Sequence, residues 1–134
     1  MTLNLALIGA GRIAKVHAGA IASNPSAKLG AVADAQPAAA AALASQWGCP
    51  AKTTAEIAGD SNIHAVLVCT PTDTHADLIE QFARAGKHVF CEKPVDLEIQ
   101  RAQSVVDTAR AAGVKLMLGF NRRFDPNFAA ARAA

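Results

Sequence analysis

The chain has 134 residues, enough for one domain with a real core. Its net charge of +2, from 13 basic and 11 acidic side chains with no basic cluster beyond Arg122-Arg123, gives no reason to expect a nucleic-acid partner. Three cysteines (Cys49, Cys69, Cys91) are odd in number and lack C-x-x-C spacing, which speaks against a disulfide framework or a metal site and for reduced thiols.

Hydrophobic residues make up 51% of the chain, but many are alanines that favour helix and bury little area. Core strength must therefore come from the Val, Ile, Leu and Phe runs. No apolar run approaches the ~20 residues of a bilayer span. Asn4, Arg12 and Lys15 interrupt residues 1–24 where a signal peptide would be apolar. A soluble, cytoplasmic protein without a membrane partner is expected.

Leu3–Ile8 is a nearly continuous apolar run of strand length, as in a strand covered on both faces. A helix follows over Arg12–Ser23, ended by Asn24-Pro25. Lys28–Ala33 is a second strand closing on Asp34. Pro37–Trp47 is an Ala-rich helix, with Pro in its first turn and Gly48 after its end. Ala51–Thr53 suggests a short strand and Glu56–Gly59 a brief helical piece. Ala65–Cys69 is the clearest central strand. Thr74-His75-Ala76-Asp77 has the pattern of a capping box opening a helix to Ala85. His88–Cys91 is another strand, Asp96 is placed to cap a helix running to Ala112, and Lys115–Gly119 is the last strand. A further helix begins at Asp125. Strand and helix alternate throughout with short loops, which predicts an α/β fold: a parallel sheet with right-handed crossovers and helices on both faces.

Gly9-Ala10-Gly11-Arg12-Ile13-Ala14 lies between the first strand and the first helix. Gly9 permits a tight turn, Gly11 lets a pyrophosphate approach the backbone, and Ala14 is small enough for the helix–strand contact. Backbone N–H groups near Arg12 and Ile13 would point at the phosphates. Asp34, 25 residues after Gly9, would accept hydrogen bonds from the adenosine ribose hydroxyls. No Arg or Lys follows it to meet a 2′-phosphate, which favours NAD over NADP. The bland alternatives are a strand–helix turn without a nucleotide and an Asp34 that caps the next helix.

Ligands of open α/β sheets bind outside the carboxyl ends of the strands, so Thr70-Pro71 and His75 should border the cleft. His75 could equally be a structural first-turn histidine. Lys93, at the end of a parallel strand within Glu92-Lys93-Pro94, is placed to polarise a hydroxyl or carbonyl; a Glu–Lys surface pair is the competing reading. Arg122 and Arg123, beside Asp125 on the same rim, could bind an anion or belong to a solvated charged loop.

Together these segments resemble the glucose–fructose oxidoreductase/inositol dehydrogenase (Gfo/Idh/MocA) family. The residues that carry the resemblance are Gly9–Ala14 with His17, Thr70-Pro71 with His75, Val89–Pro94 and Gly119–Phe128. The Glu-Lys-Pro and Asn-Arg-Arg-Phe-Asp segments look most like those of bacterial inositol 2-dehydrogenases. The resemblance implies a Rossmann-type, doubly wound, three-layer α/β/α domain over residues 1–120. It implies that residues 121–134 begin a crossover toward a second domain that this chain lacks.

The resemblance also implies NAD as cofactor, held by Gly9, Gly11, Arg12, Ile13, Asp34, Thr70, Pro71, His75, Glu92 and Lys93. Lys93 would contact the reacting hydroxyl of a cyclic polyol or sugar, Glu92 would sit near the nicotinamide ribose, and Arg122 would lie on the substrate side. The Lys93–Pro94 peptide can be cis in such proteins. The general base is expected beyond Ala134, so this chain alone should bind NAD with little or no turnover. A homo-oligomer is expected of the full-length enzyme, and self-association of the fragment through Phe120, Phe124 and Phe128. The competing readings are a non-catalytic dinucleotide-binding sensor or interaction module, and an S-adenosylmethionine site. The latter usually has an acid just before its glycine run, and Asn4–Ile8 supplies none.

Overall fold

A computed structural model of the protein describes residues 2–134. Its centre is a five-stranded parallel sheet in the order β2-β1-β3-β4-β5. The strands are β1 (Leu3–Ile8), β2 (Ala27–Ala33), β3 (Ala65–Val68), β4 (His88–Cys91) and β5 (Leu116–Leu118). The helices are α1 (Arg12–Ala22), α2 (Pro37–Trp47), α3 (Thr54–Gly59), α4 (His75–Arg84), α5 (Ile99–Ala111) and α6 (Pro126–Ala133). Strand order reverses between β1 and β3, the switch point where an α/β sheet opens a crevice.

The strands divide their apolar residues between two cores because successive side chains point to opposite faces. Ala6, Ile8, Ala31, Ala33, Val66, Val68, Val89 and Cys91 pack on one face against Ile57 of α3, Ile79 and Phe82 of α4, and Val105 of α5. Leu7, Leu29, Val32, Leu67 and Cys69 pack on the other against Ala14, Ala18 and Ile21 of α1 and Ala40, Leu43 and Ala44 of α2. Alanine serves on α1 and α2 because those helices lie close on the sheet. The near-continuous apolar strand runs thus reflect a sheet covered twice, as expected.

Several local expectations change. Ala51–Thr53 is not a strand; Ala51 makes a single parallel bridge to Val32, flanked by Val32 N–H donating to Pro50 O (3.1 Å) and Lys52 N–H to Val32 O (2.9 Å). Even so, the bridge lies beyond β2, where a further strand of a doubly wound sheet would sit. The capping box is not at Thr74. A 3-10 turn over Thr72–Thr74 precedes α4, and the Thr74 hydroxyl turns back to the Pro71 carbonyl (2.7 Å) and the Thr70 hydroxyl (2.6 Å). The box forms instead at Thr53, whose Oγ1 accepts Glu56 N–H (3.2 Å) while Glu56 Oε2 accepts Thr53 N–H (2.7 Å). Asp96 does not cap α5, which starts three residues later; its carboxylate accepts Glu98 N–H (2.9 Å) in a local turn. Asp125 does cap α6, accepting Asn127 N–H at 2.8 Å.

Candidate functional site

One register line brings the singled-out segments together. Ala33, Ile8, Val68, Cys91 and Leu118 are aligned partners across β2-β1-β3-β4-β5. The residues that follow them, Asp34, Gly9, Cys69, Glu92 and Gly119, therefore stand in a row along the carboxyl edge. The ladder continues through this row: Gly9 N–H donates to Ala33 O (2.7 Å), Cys69 N–H to Ile8 O (2.7 Å), Glu92 N–H to Val68 O (3.0 Å) and Gly119 N–H to Cys91 O (2.8 Å). At the usual inter-strand spacing, Asp34 and Glu92 lie about 14 Å apart along the edge, a span suited to an elongated ligand.

The two glycines of the first turn differ in what demands them. Gly9 has φ 103°, and a Cβ there would lie 2.8 Å from the Cys69 carbonyl oxygen, so backbone conformation and the approach of β3 both exclude a side chain. Gly11 has φ −75° and nothing within 4 Å of a Cβ built on it. No protein atom requires glycine there, and the space a Cβ would fill is open. Gly11 is also the N-cap of α1, without a side-chain cap or an acidic residue in the first turn. The N–H groups of Arg12 and Ile13 precede the first intrahelical bond, from Lys15 N–H to Gly11 O, and remain for an anion.

Asp34 uses one carboxylate oxygen to brace this turn. Oδ2 accepts Ala10 N–H at 2.7 Å and Oδ1 accepts Gln36 N–H at 2.8 Å, just before α2. The carboxylate is half-buried and keeps lone pairs on both oxygens for ribose hydroxyls. Asp34 does not cap α2, whose N-cap is Gln36 without a side-chain cap; its bond to Gln36 N–H closes a local turn before the helix.

Thr70 is half-buried and Pro71 exposed at the end of β3. His75 does not reach the cleft. It is 2% exposed, with Nδ1 2.7 Å from the Pro94 carbonyl oxygen and Nε2 2.9 Å from that of Thr70. The ring nitrogens face two backbone carbonyl oxygens, of which a neutral imidazole donates to one, and the histidine expected to touch a cofactor lies buried beneath the turn that borders the cleft.

Glu92 is held by His17 of α1: Nε2 donates to Oε1 at 2.6 Å, and the imidazole stands edge-on to Phe90, with ring centroids 5.2 Å apart. Lys93 follows on the exposed side, and the Lys93–Pro94 peptide is cis. Lys93 shares a pocket of about 340 Å³ with Gly119, Phe120, Asn121, Arg122 and Arg123. Arg122 lies over the Phe128 ring, 4.8 Å from its centroid. Phe120, Phe124 and Phe128 are all exposed. A smaller concavity at the opposite, amino-terminal edge of the sheet, lined by Asn4, Lys28, Asp60 and Asn62, holds none of these groups.

The thiols take no part in this chemistry. Burial, and then the nearby Glu92 carboxylate, pushes Cys69 and Cys91 each up to about 12. All three cysteines are free. Among the described residues no His/Cys/Asp/Glu cluster suits a metal ion, and no helix is long and apolar enough to cross a membrane.

Sequence reasoning noted His17 but not its partner, 75 residues away. It missed the Asp34 brace on Ala10 and the part of Gly119 and Asn121 in the Lys93 pocket. A strand-end alignment of Ile8, Val68, Cys91 and Leu118 could have brought Gly119 beside Glu92; no periodicity announces the two side-chain pairings.

A parallel sheet with an open switch point, an uncapped helix N-terminus over a glycine turn and an acid at the end of β2 define a dinucleotide-binding α/β domain. Residues 3–120 match the family described as "Oxidoreductase family, NAD-binding Rossmann fold", and the chain belongs to that Gfo/Idh/MocA family. It is 56% identical over 134 residues to an inositol 2-dehydrogenase of Rhizobium meliloti (strain 1021), covering 100% of this chain and 41% of that protein. Identity to a myo-inositol 2-dehydrogenase of Thermotoga maritima is 38% over 128 residues, 94% of this chain and 38% of the relative. Among solved structures, a scyllo-inositol dehydrogenase from Lactobacillus casei with bound NAD(H) and scyllo-inositol superposes with a TM-score of 0.90 at 33% identity, covering 99% of this chain and 40% of that one. The chain thus carries the NAD-binding fold of the family and spans about two fifths of the length of these relatives.

Proposed function

We propose that this chain is the cofactor half of an NAD-dependent dehydrogenase acting on a cyclic polyol of the inositol class. The observation that carries the cofactor reading is Gly11, a glycine that no protein atom requires, at the uncapped start of α1. The N–H groups of Arg12 and Ile13 hold the pyrophosphate there. Asp34 accepts the adenosine ribose hydroxyls and repels a 2′-phosphate, which selects NAD over NADP. Thr70 and Pro71 border the middle of the cleft, and Glu92 stands by the nicotinamide ribose. His75 supports this surface from below rather than touching the cofactor.

NAD, when bound, supplies the hydride acceptor. Lys93 is the residue of this chain that meets the substrate. Its ammonium donates a hydrogen bond to the reacting hydroxyl oxygen and stabilises the negative charge that grows there as the C–H bond breaks. Arg122, which lines the same pocket, orients the remaining hydroxyls. The general base comes from outside residues 1–134. The family match over 3–120 supports reading 1–120 as the dinucleotide-binding domain and 121–134 as the start of a crossover segment. The polyol class rests on the names of the relatives. A cytoplasmic setting agrees with three free thiols. The exposed phenylalanines favour self-association of the chain or a homo-oligomer of the full-length enzyme.

The test is Lys93→Met in a protein that joins this chain to the substrate portion its relatives possess, assayed with NAD and myo-inositol. The expected result is a fall in kcat of about a hundredfold or more, larger than any change in NAD affinity. Unchanged kcat would reduce the chain to a binding module in which Lys93 is incidental.

A further inference from the structure

Lys93 stands between two residues that are each held by a histidine from a different helix. On one side, Glu92 Oε1 accepts His17 Nε2–H at 2.6 Å, from α1. On the other, the Pro94 carbonyl oxygen lies 2.7 Å from His75 Nδ1, on α4. The opposite nitrogen of His75, Nε2, lies 2.9 Å from the Thr70 carbonyl oxygen; a neutral imidazole carries one N–H, which we place on Nδ1 toward Pro94 O. Lys93 itself is exposed on its pocket. The residue before Lys93 is thus held through its side chain and the residue after it through its backbone carbonyl, while the Lys93 side chain is left free. The sheet ladder ends at Glu92 N–H, and beyond it the side-chain bonds from packed helices hold the Lys93 segment.

We infer that His17 and His75 are positioning residues for Lys93, two clamps that hold Glu92-Lys93-Pro94 in one conformation on the cleft rim. The inference deepens the reading of Lys93 as the group that meets the substrate, and rests on it for its consequence in turnover. The clamp itself is a property of the free chain. Neither histidine touches the reacting atoms: His75 is buried, and His17 spends Nε2 on Glu92.

The two clamps use different ring nitrogens toward the Lys93 segment, and this gives a crossed test. An asparagine amide nitrogen sits at about the reach of imidazole Nδ1, and a glutamine amide nitrogen at that of Nε2. His75→Asn therefore keeps the donor to Pro94 O, and His75→Gln loses it. For His17 the order reverses: His17→Gln keeps the donor to Glu92, and His17→Asn loses it. A residue that merely filled space would not follow this order.

The measurement is the backbone amide signal of Lys93 in the chain labelled with nitrogen-15 lysine, assigned by its loss in Lys93→Arg, with relaxation dispersion to read microsecond–millisecond exchange. Wild type, His75→Asn and His17→Gln should give one sharp signal. His75→Gln and His17→Asn should give a doubled or exchange-broadened one. A Lys93 signal unchanged in all four variants, or two substitutions at one histidine acting alike, overturns the assignment for that histidine; loss of folding in both His75 variants counts as acting alike. If only His75→Gln fails to fold, the His17 pair decides. Calorimetric titration of the same wild-type sample with NAD reads the cofactor site separately: no binding there overturns the site and leaves a crossed amide pattern standing, whereas binding with no crossed pattern does the reverse.

Discussion

A Cβ placed on Gly9 would lie 2.8 Å from the carbonyl oxygen of Cys69. The first turn of the cleft is thus pressed against the end of β3, and Gly9 also has φ 103°. Gly9→Ala is expected to destabilise the chain by more than ~1 kcal/mol, since alanine suffers at positive φ and the β3 backbone must also shift. Urea unfolding checks this; a midpoint equal to that of the wild type contradicts it.

Asp34 braces the turn besides its proposed contact with the ribose. Removing its carboxylate leaves Ala10 N–H, which is buried, without its 2.7 Å acceptor. Asp34→Ala should therefore lower stability by about 1–3 kcal/mol in addition to weakening NAD binding, because a charged acceptor of a buried donor is lost. A pure selectivity residue would change NAD affinity alone, so denaturation and calorimetry on one variant separate the two roles.

Asp60 supplies a pH dependence far from the cleft. The Lys52 ammonium donates to it at 2.6 Å, and this bond, followed by Asn62 N–H, lowers its carboxyl from 3.8 to about 2. A carboxyl depressed in the folded state stabilises above its unfolded value and loses that stability as pH falls through the folded one. The difference in urea midpoint between wild type and Asp60→Asn should thus be greatest above pH 3.8 and shrink toward pH 2. A constant difference across that range contradicts the pairing.

Much of the architecture was legible because it depends on local pattern. Pro37–Trp47 and His88–Cys91 fall where composition and turn residues set them. The shorter pieces depend on competition between nearby polar groups. Thr74 had the spacing of a capping box, but Pro71 and Thr70 offered its hydroxyl closer partners, while Thr53 met Glu56 unopposed. Asp96 was intercepted by Glu98 N–H, so α5 began later. At the site, the glycine turn and Asp34 could be read as a motif, and the burial of His75 could not. The Asp34–Ala10 and His17–Glu92 pairings span 24 and 75 residues, and they exist only once the register line brings the strand ends together.

If the turn at Gly9–Gly11 holds NAD, Gly11 is the residue that isolates that role. Its backbone is one any residue can adopt, and a side chain there meets open space. Calorimetric titration of the chain and of Gly11→Val with NAD, alongside a thermal melt of each, is the most direct measurement. Wild type should bind NAD, and Gly11→Val should lose binding while its melt moves only by the ~1 kcal/mol or less of a poorer N-cap. A Gly11→Val chain that binds NAD as tightly as wild type, or a folded wild-type chain that binds none, would contradict that role.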